Sequence, residues 1–307
     1  MKVLQKNKKR AVVTGGCGFI GGYVVRELLK NGYHVIVIDI LIQGEQSTLP
    51  DEVDFVHADI CDYDTVKDII QEGEIIFHLA ALTSVPGSID RPFTYYTTNV
   101  TGTQTVLEAA RVQKAGGVVF SSSAAVYGSQ EGILDEAKIP KPESSYALHK
   151  YFGEELCYSY TTLYGLSTIC LRYFNVYGHG NHEEGSYAPV TARFLKSKRE
   201  GSPLHITGDG SQTRDFIHVK DVARANALAA SLLTNRKDYF ECINICTGIP
   251  SRIIDIAIMI GGERIYLPAR TEIKHSLGSK LRFDVLLNGE TLIPLETGLQ
   301  EIQLAMP

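Results

Sequence analysis

Thr14-Gly15-Gly16-Cys17-Gly18-Phe19-Ile20-Gly21 stands between an apolar, β-branched run at residues 10–14 and an amphipathic stretch at residues 18–30. Gly15, Gly18 and Gly21 are spaced as GxxGxxG. In a strand–turn–helix unit the first glycine permits the tight turn and the second lets a pyrophosphate approach the backbone. The third permits close packing of helix on strand, and the amides that open the helix meet the phosphate charge. Glycine-rich turns are common, so the neighbourhood decides. Asp39 closes the next apolar run, VIVID, and a carboxylate there accepts both hydroxyls of an adenosine ribose while repelling a 2′-phosphate. Residues 40–45 contain no Arg or Lys that would favour such a phosphate. The motif reads as a site for NAD.

Working outward, short apolar runs at 35–38, 54–56, 75–78 and 118–121 alternate with helical patterns at 63–71 and 99–112. That rhythm predicts parallel strands joined by right-handed crossovers, a doubly wound α/β sheet of the Rossmann type. After residue 174 Gly, His and Pro become frequent and the alternation weakens. We expect an NAD-binding domain over 1–174 and a smaller, partly interleaved α/β substrate domain over 175–307.

The 307 residues carry 35 acidic against 30 basic side chains, a formal net charge of −5. Such a balance argues against nucleic acid or an anionic membrane surface as the main partner. The one basic run, KNKKR at 6–10, reads as a solvated tail. No apolar run approaches the ~18 residues that span a bilayer, and no secretory segment is evident at the start, so the expected location is the cytoplasm. Six scattered cysteines without a CxxC pair predict neither a disulfide framework nor a metal site.

Ser145-Tyr146-Ala147-Leu148-His149-Lys150 places a tyrosine and a lysine four residues apart, on one face of a helix. Leu148, Phe152, Leu156 and Leu163 are expected to form that helix's buried stripe. A neighbouring ammonium favours phenolate over phenol, so Tyr146 is expected to have a lowered pKa and to serve as a base. Ser121-Ser122-Ser123 ends a strand upstream and supplies a hydroxyl.

With these residues in view, the chain resembles the extended short-chain dehydrogenase/reductases, in particular the nucleotide-sugar epimerase branch. The resemblance runs through TGGCGFIGG, HLAA, NVTGTQTVLEAA, SSSAAVYG, SYALHK, LRYFNVYG, GDGSQTRDFIHVKDV, NICTG and EIKHSL. It implies catalysis by Ser123, Tyr146 and Lys150. It also implies NAD contacts at Gly15, Gly18, Phe19, Ile20, Gly21, Asp39, Asp59, Ile60, Ala80, Asn99, Tyr146, Lys150 and Phe174. Substrate contacts would fall to Ser84, Ser123 and Asn175, to Arg214 and Arg270 as diphosphate forks, and to Ser276 beside the sugar's C2 substituent. The implied activity is inversion of C4 of a UDP-hexose or UDP-N-acetylhexosamine through a 4-keto intermediate, by a homodimer. The family's alternatives are other UDP-sugar oxidoreductases or dehydratases and UDP-hexuronate 4-epimerases. A non-enzymatic NAD-binding sensor is the reading from another class. Dehydratases and decarboxylases of the family carry acidic residues after the catalytic serine or threonine, and here those positions are Ala124 and Ala125. The chain departs from the family pattern at Ile40, where Asn is usual, and in a shortened stretch between 247 and 268.

Overall fold

The computed structural model describes residues 9–181, 188–269, 273–288 and 290–306. In chain order the first strands and helices are β1 (Arg10–Thr14), α1 (Phe19–Lys30), β2 (His34–Asp39), β3 (Asp54–His57), α2 (Tyr63–Ile69) and β4 (Ile75–His78). They are followed by α3 (Val85–Asp90), α4 (Pro92–Tyr96), α5 (Gly102–Val112), β5 (Gly117–Ser123), β6 (Ile133–Leu134), α6 (Ser145–Tyr164), β7 (Thr168–Tyr173) and β8 (Asn175–Tyr177). The remainder comprises α7 (Val190–Arg199), β9 (Leu204–Thr207), β10 (Thr213–His218), α8 (Val219–Asn235), β11 (Phe240–Ile245), β12 (Pro250–Arg252) and α9 (Ile253–Ile260). Last come β13 (Arg264–Leu267), β14 (Leu277–Gly278), α10 (Leu281–Leu287) and α11 (Leu295–Leu304).

Seven strands form the main sheet in the order β11-β7-β5-β4-β1-β2-β3. The sequence of β1 explains its central place: Ala11, Val12 and Val13 are wholly buried, which a strand covered by helices on both faces requires. β1 pairs in parallel with β2 and with β4, and β4 pairs in parallel with β5. The order reverses at β1 and β4, the place where a doubly wound sheet leaves a crevice at its strand ends. Three smaller sheets, β12-β10-β8, β13-β9 and β14-β6, account for the other strands.

The chain divides into two compact, interleaved units. One takes residues up to Val126, then Pro142–Arg172 and Ala223–Ile243; the other takes Tyr127–Lys141, Tyr173–Val222 and everything from Asn244 onward. The first unit's core centres on Val12, Ile76, Val118, Phe120 and Leu107. The second unit's core gathers Phe194, Leu204, Ile206, Ile256 and Leu299.

One local expectation is reversed. Leu148 and Phe152 are each 37% exposed and Leu163 is 69% exposed, and only Leu156 packs against the core. The buried face of α6 instead presents Ala147, Lys150, Gly153, Glu154, Cys157, Tyr160 and Thr161. Contact with β5 explains this choice: a Cβ at Gly153 would lie 2.3 Å from the Phe120 ring, so a small residue must face the sheet. The charged residues on that face are tolerated because each is paired inside.

Candidate active site

The glycine turn is built by close approach. Gly15 adopts φ +73°, and a Cβ there would stand 2.6 Å from the Ala80 amide nitrogen. At Gly21 a Cβ would stand 2.0 Å from the Gly15 carbonyl oxygen, so this glycine lets the helix close on its own turn. Packing of the turn on β2 falls to Gly16, which the spacing argument missed: a Cβ there would meet Val37 at 2.7 Å. Gly18 meets only the Gly15 carbonyl, at 3.3 Å. Space rather than backbone strain is what its lack of a side chain leaves.

These residues fit a dinucleotide. No side chain caps α1 and no acid occupies its first turn, so the amides of Phe19, Ile20 and Gly21 have no side-chain acceptor and can serve a diphosphate. Asp39 accepts from the Cys17 amide at 3.0 Å and from the Leu41 amide at 2.8 Å, which orients its carboxylate and leaves each oxygen a further lone pair for a ribose hydroxyl. Asp59 is exposed and turns back to the Cys61 amide at 2.9 Å, while Ile60 is buried under Gly102. Ala80 donates its amide to Thr14 Oγ1 at 3.2 Å. Asn99 is 3% exposed and is used differently from a direct ligand: Oδ1 accepts from the Leu82 amide at 2.8 Å and Nδ2 donates to the Leu82 carbonyl at 2.9 Å. Its side chain clamps the loop after β4.

Ser123 ends β5, and Tyr146 and Lys150 stand on consecutive turns of α6. Ser144 caps α6 by accepting from the Ala147 amide, and the Tyr146 amide donates to Ser88 Oγ at 3.1 Å. Burial pushes the Tyr146 phenol above its ordinary pKa, and its hydrogen bond with Ser123 pulls it back down. The expected lowering of Tyr146 by Lys150 is therefore not what the structure shows. Lys150, 4% exposed, donates from Nζ to the Ser121 carbonyl at 2.7 Å, and desolvation brings its pKa down to about 8 against the opposing pull of Glu154. A lysine tied to the strand backbone acts on the tyrosine less than helix spacing alone suggests.

Glu154, one turn beyond Lys150, is held in a buried fork. Arg172 donates to it from Nε at 2.8 Å and from an Nη at 2.7 Å, and Ser122 Oγ donates at 2.5 Å. The fork locks α6 to β5 and β7 beside the lysine. Nothing in the motif-based reading pointed to it, because Glu154 and Arg172 become partners only through the fold.

In the second unit Asp215 plays a comparable part. Wholly buried, it accepts from the Thr247 amide and hydroxyl at 2.8 and 2.7 Å, and from the amides of Gly248 and Gly278 at 2.9 and 3.3 Å. Burial raises its pKa, and those donors work against the rise. Asn175 donates from Nδ2 to the Asp215 carbonyl at 2.9 Å. Arg214 donates to the Thr213 carbonyl at 2.9 Å, and the Ser276 amide donates to the same residue's carbonyl at 3.1 Å. Asn175, Arg214 and Ser276 thus gather around the β10 backbone. Phe174 is buried, its ring against Gly278. Ser84 accepts from the Gly87 amide as the N-cap of α3. Arg270 lies outside the described residues. Among the described residues no cluster of His, Cys, Asp or Glu could hold a metal ion, and no helix is long and apolar enough to cross a membrane.

Comparison with known proteins places the chain in a family. Residues 11–246 match the NAD dependent epimerase/dehydratase family. A UDP-glucose 4-epimerase of Mycolicibacterium smegmatis is 36% identical over 261 residues, covering 82% of each chain. A UDP-N-acetyl-α-D-glucosaminuronate decarboxylase of Bacillus cytotoxicus is 33% identical, covering 81% of this chain and 78% of its own. Among solved structures, the UDP-N-acetylglucosamine 4-epimerase of Methanobrevibacter ruminantium, in complex with UDP-N-acetylmuramic acid, superposes with a TM-score of 0.90. It shares 34% sequence identity, and 97% of each chain is covered.

Proposed function

This chain belongs to the NAD dependent epimerase/dehydratase family, and from that premise we propose that it inverts C4 of a UDP-hexose or UDP-N-acetylhexosamine through a 4-keto intermediate. Its cofactor is NAD, which when bound supplies a reversible acceptor for the C4 hydride. The observation that carries the reading is the set of Ser123, Tyr146 and Lys150 on β5 and α6, in the same unit as the glycine turn.

In this reading Tyr146, as phenolate, takes the proton of the sugar 4-hydroxyl and later returns it. Ser123 hydrogen-bonds the same oxygen and stabilises the tyrosine's charged form. Lys150, held at Ser121, orients the cofactor's nicotinamide ribose. Asp39 takes the adenosine ribose, and Gly15, Gly18, Phe19, Ile20 and Gly21 take the diphosphate. Ile60 and Ala80 line the cleft and Asp59 lies at its adenine end, while Asn99 shapes the cleft through Leu82. In the second unit Asn175 and Arg214 are assigned to the sugar diphosphate, with Arg270 as a second fork, and Phe174 and Ser276 border the sugar. Ser84 is assigned to the sugar side through the loop it caps.

Dehydration and decarboxylation are disfavoured by Ala124 and Ala125, which follow Ser123 in a short 3₁₀ turn. Elimination needs an acid and a base near C5 and C6, and two methyl groups supply neither. The exposed apolar face of α6, with Leu148, Phe152, Leu163 and Tyr164, supports a homodimer in which a second copy covers it. A soluble nucleotide sugar as substrate supports a cytoplasmic location. The decisive experiment offers UDP-glucose, UDP-N-acetylglucosamine and a UDP-hexuronate, with products resolved by NMR. C4 epimers are expected, and a 4-keto-6-deoxy sugar as main product would overturn the reading.

A further inference from the structure

His78, at the end of β4, is 1% exposed and lies outside the catalytic set. Its Nδ1 is 2.7 Å from Thr14 Oγ1 and its Nε2 is 3.0 Å from Thr103 Oγ1. Two further bonds fix the direction of both. Thr103 donates its only hydroxyl proton to the Asn99 carbonyl at 2.7 Å, so toward His78 its oxygen must accept, and Nε2 carries the ring proton. Thr14 Oγ1 already accepts from the Ala80 amide at 3.2 Å, so its own proton is available to bare Nδ1. The chain runs one way: Ala80 amide to Thr14, Thr14 to His78, His78 to Thr103, Thr103 to the Asn99 carbonyl.

It closes on itself, because the Asn99 side chain holds both polar backbone atoms of Leu82, two residues beyond Ala80. The ring of bonds therefore ties together the strand before the glycine turn, the loop after β4 and the helical segment that carries Asn99.

We propose that His78 is a positioning residue that holds the 80–82 wall of the NAD cleft, as a neutral imidazole protonated at Nε2. The assignment rests on reading Ala80 and Asn99 as part of that cleft. Neutrality has a second support. Burial, reinforced by the Lys150 charge, drives the His78 pKa down to about 3. Phe120 stacks beside the imidazole with ring centres 5.8 Å apart, and Lys150 Nζ lies 5.2 Å from the centre of the same Phe120 ring. An imidazolium would leave Thr14 with two donors facing it and its own proton without an acceptor, a costly state inside a core.

Two measurements test this. Long-range proton–nitrogen NMR of the holoenzyme labelled in its histidines reads the His78 ring, with His78→Gln identifying the signal. Nε2–H with an unprotonated Nδ1 is expected. NAD release is then compared among native protein, Thr103→Ser, Thr103→Val and the core control Ile169→Val, a fully buried site on β7. Thr103→Ser keeps both roles of the hydroxyl and should hold NAD like native, whereas Thr103→Val should release it roughly tenfold faster, the equivalent of ~1.4 kcal/mol. A protonated Nδ1, or a Thr103→Val variant no leakier than the control, overturns the proposal. Native protein that binds no NAD overturns the cleft assignment beneath it, whereas native retention with an indifferent Thr103→Val overturns this inference alone.

Discussion

Lys150 reaches under the strand that carries Ser123 and donates from Nζ to the carbonyl of Ser121, 2.7 Å away. One of its three protons is thereby committed to the backbone, which sets the height of the ammonium and leaves two for ligands. Replacing it with methionine keeps the length of the side chain and removes the charge. Lys150→Met is expected to lose turnover by about 10²-fold, as the nicotinamide ribose is misplaced, and to leak NAD, read as activity and as cofactor retained after gel filtration. Full NAD retention would show that the ammonium does not hold the cofactor.

Tyr146→Phe removes only the ionisable oxygen. It should lower turnover by about 10²- to 10⁴-fold while retaining NAD, and a variant turning over at the native rate would exclude Tyr146 as the base.

The pH profile separates Ser123 from its neighbours. Burial raises Tyr146 and the Ser123 hydrogen bond lowers it. In Ser123→Ala the lowering is lost, so at any given pH less phenolate is present and the acid limb of kcat/KM should move to higher pH. A limb that stays in place would mean that a different group titrates.

Arg172 and Glu154 form a buried pair, 5% and 2% exposed at their side chains. Removing one partner leaves an uncompensated charge inside, which typically costs ~3–5 kcal/mol. Arg172→Met should lower the denaturant midpoint accordingly, and adding Glu154→Leu should recover part of the loss. A single variant as stable as native would mean that water already reaches the pair.

Ser276 is proposed to border the sugar; if it does, a tyrosine in place of its hydroxymethyl group would occupy the space of an acetamido group. Ser276→Tyr is expected to depress turnover of UDP-N-acetylhexosamines while sparing UDP-glucose and UDP-galactose. Equal losses on both classes would remove Ser276 from the pocket.

The sequence carried further in the first half of the chain than in the second. From β1 to β5 the apolar runs of the sequence survive into the fold as strands almost residue for residue. The division into units was harder to see, since residues 223–243 belong with the first unit and 127–141 with the second. No local pattern announces which remote segment will share a core.

By itself the sequence determined the parallel α/β architecture, the glycine turn with its acidic strand end, and the tyrosine–lysine spacing proposed for catalysis, because each rests on spacing within one segment or on a run of such segments; the serine proposed beside them came from the family resemblance. Only the tertiary structure decided how those groups are held. Leu148, Phe152 and Leu163 of α6 face outward because Gly153 must meet Phe120, and Tyr146 is raised because burial outweighs its partners. His78, Glu154 and Asp215 became organising centres because folding brought them donors or acceptors from distant segments. Burial and hydrogen-bond partnership are properties of surroundings, and surroundings exist only once the chain has closed on itself.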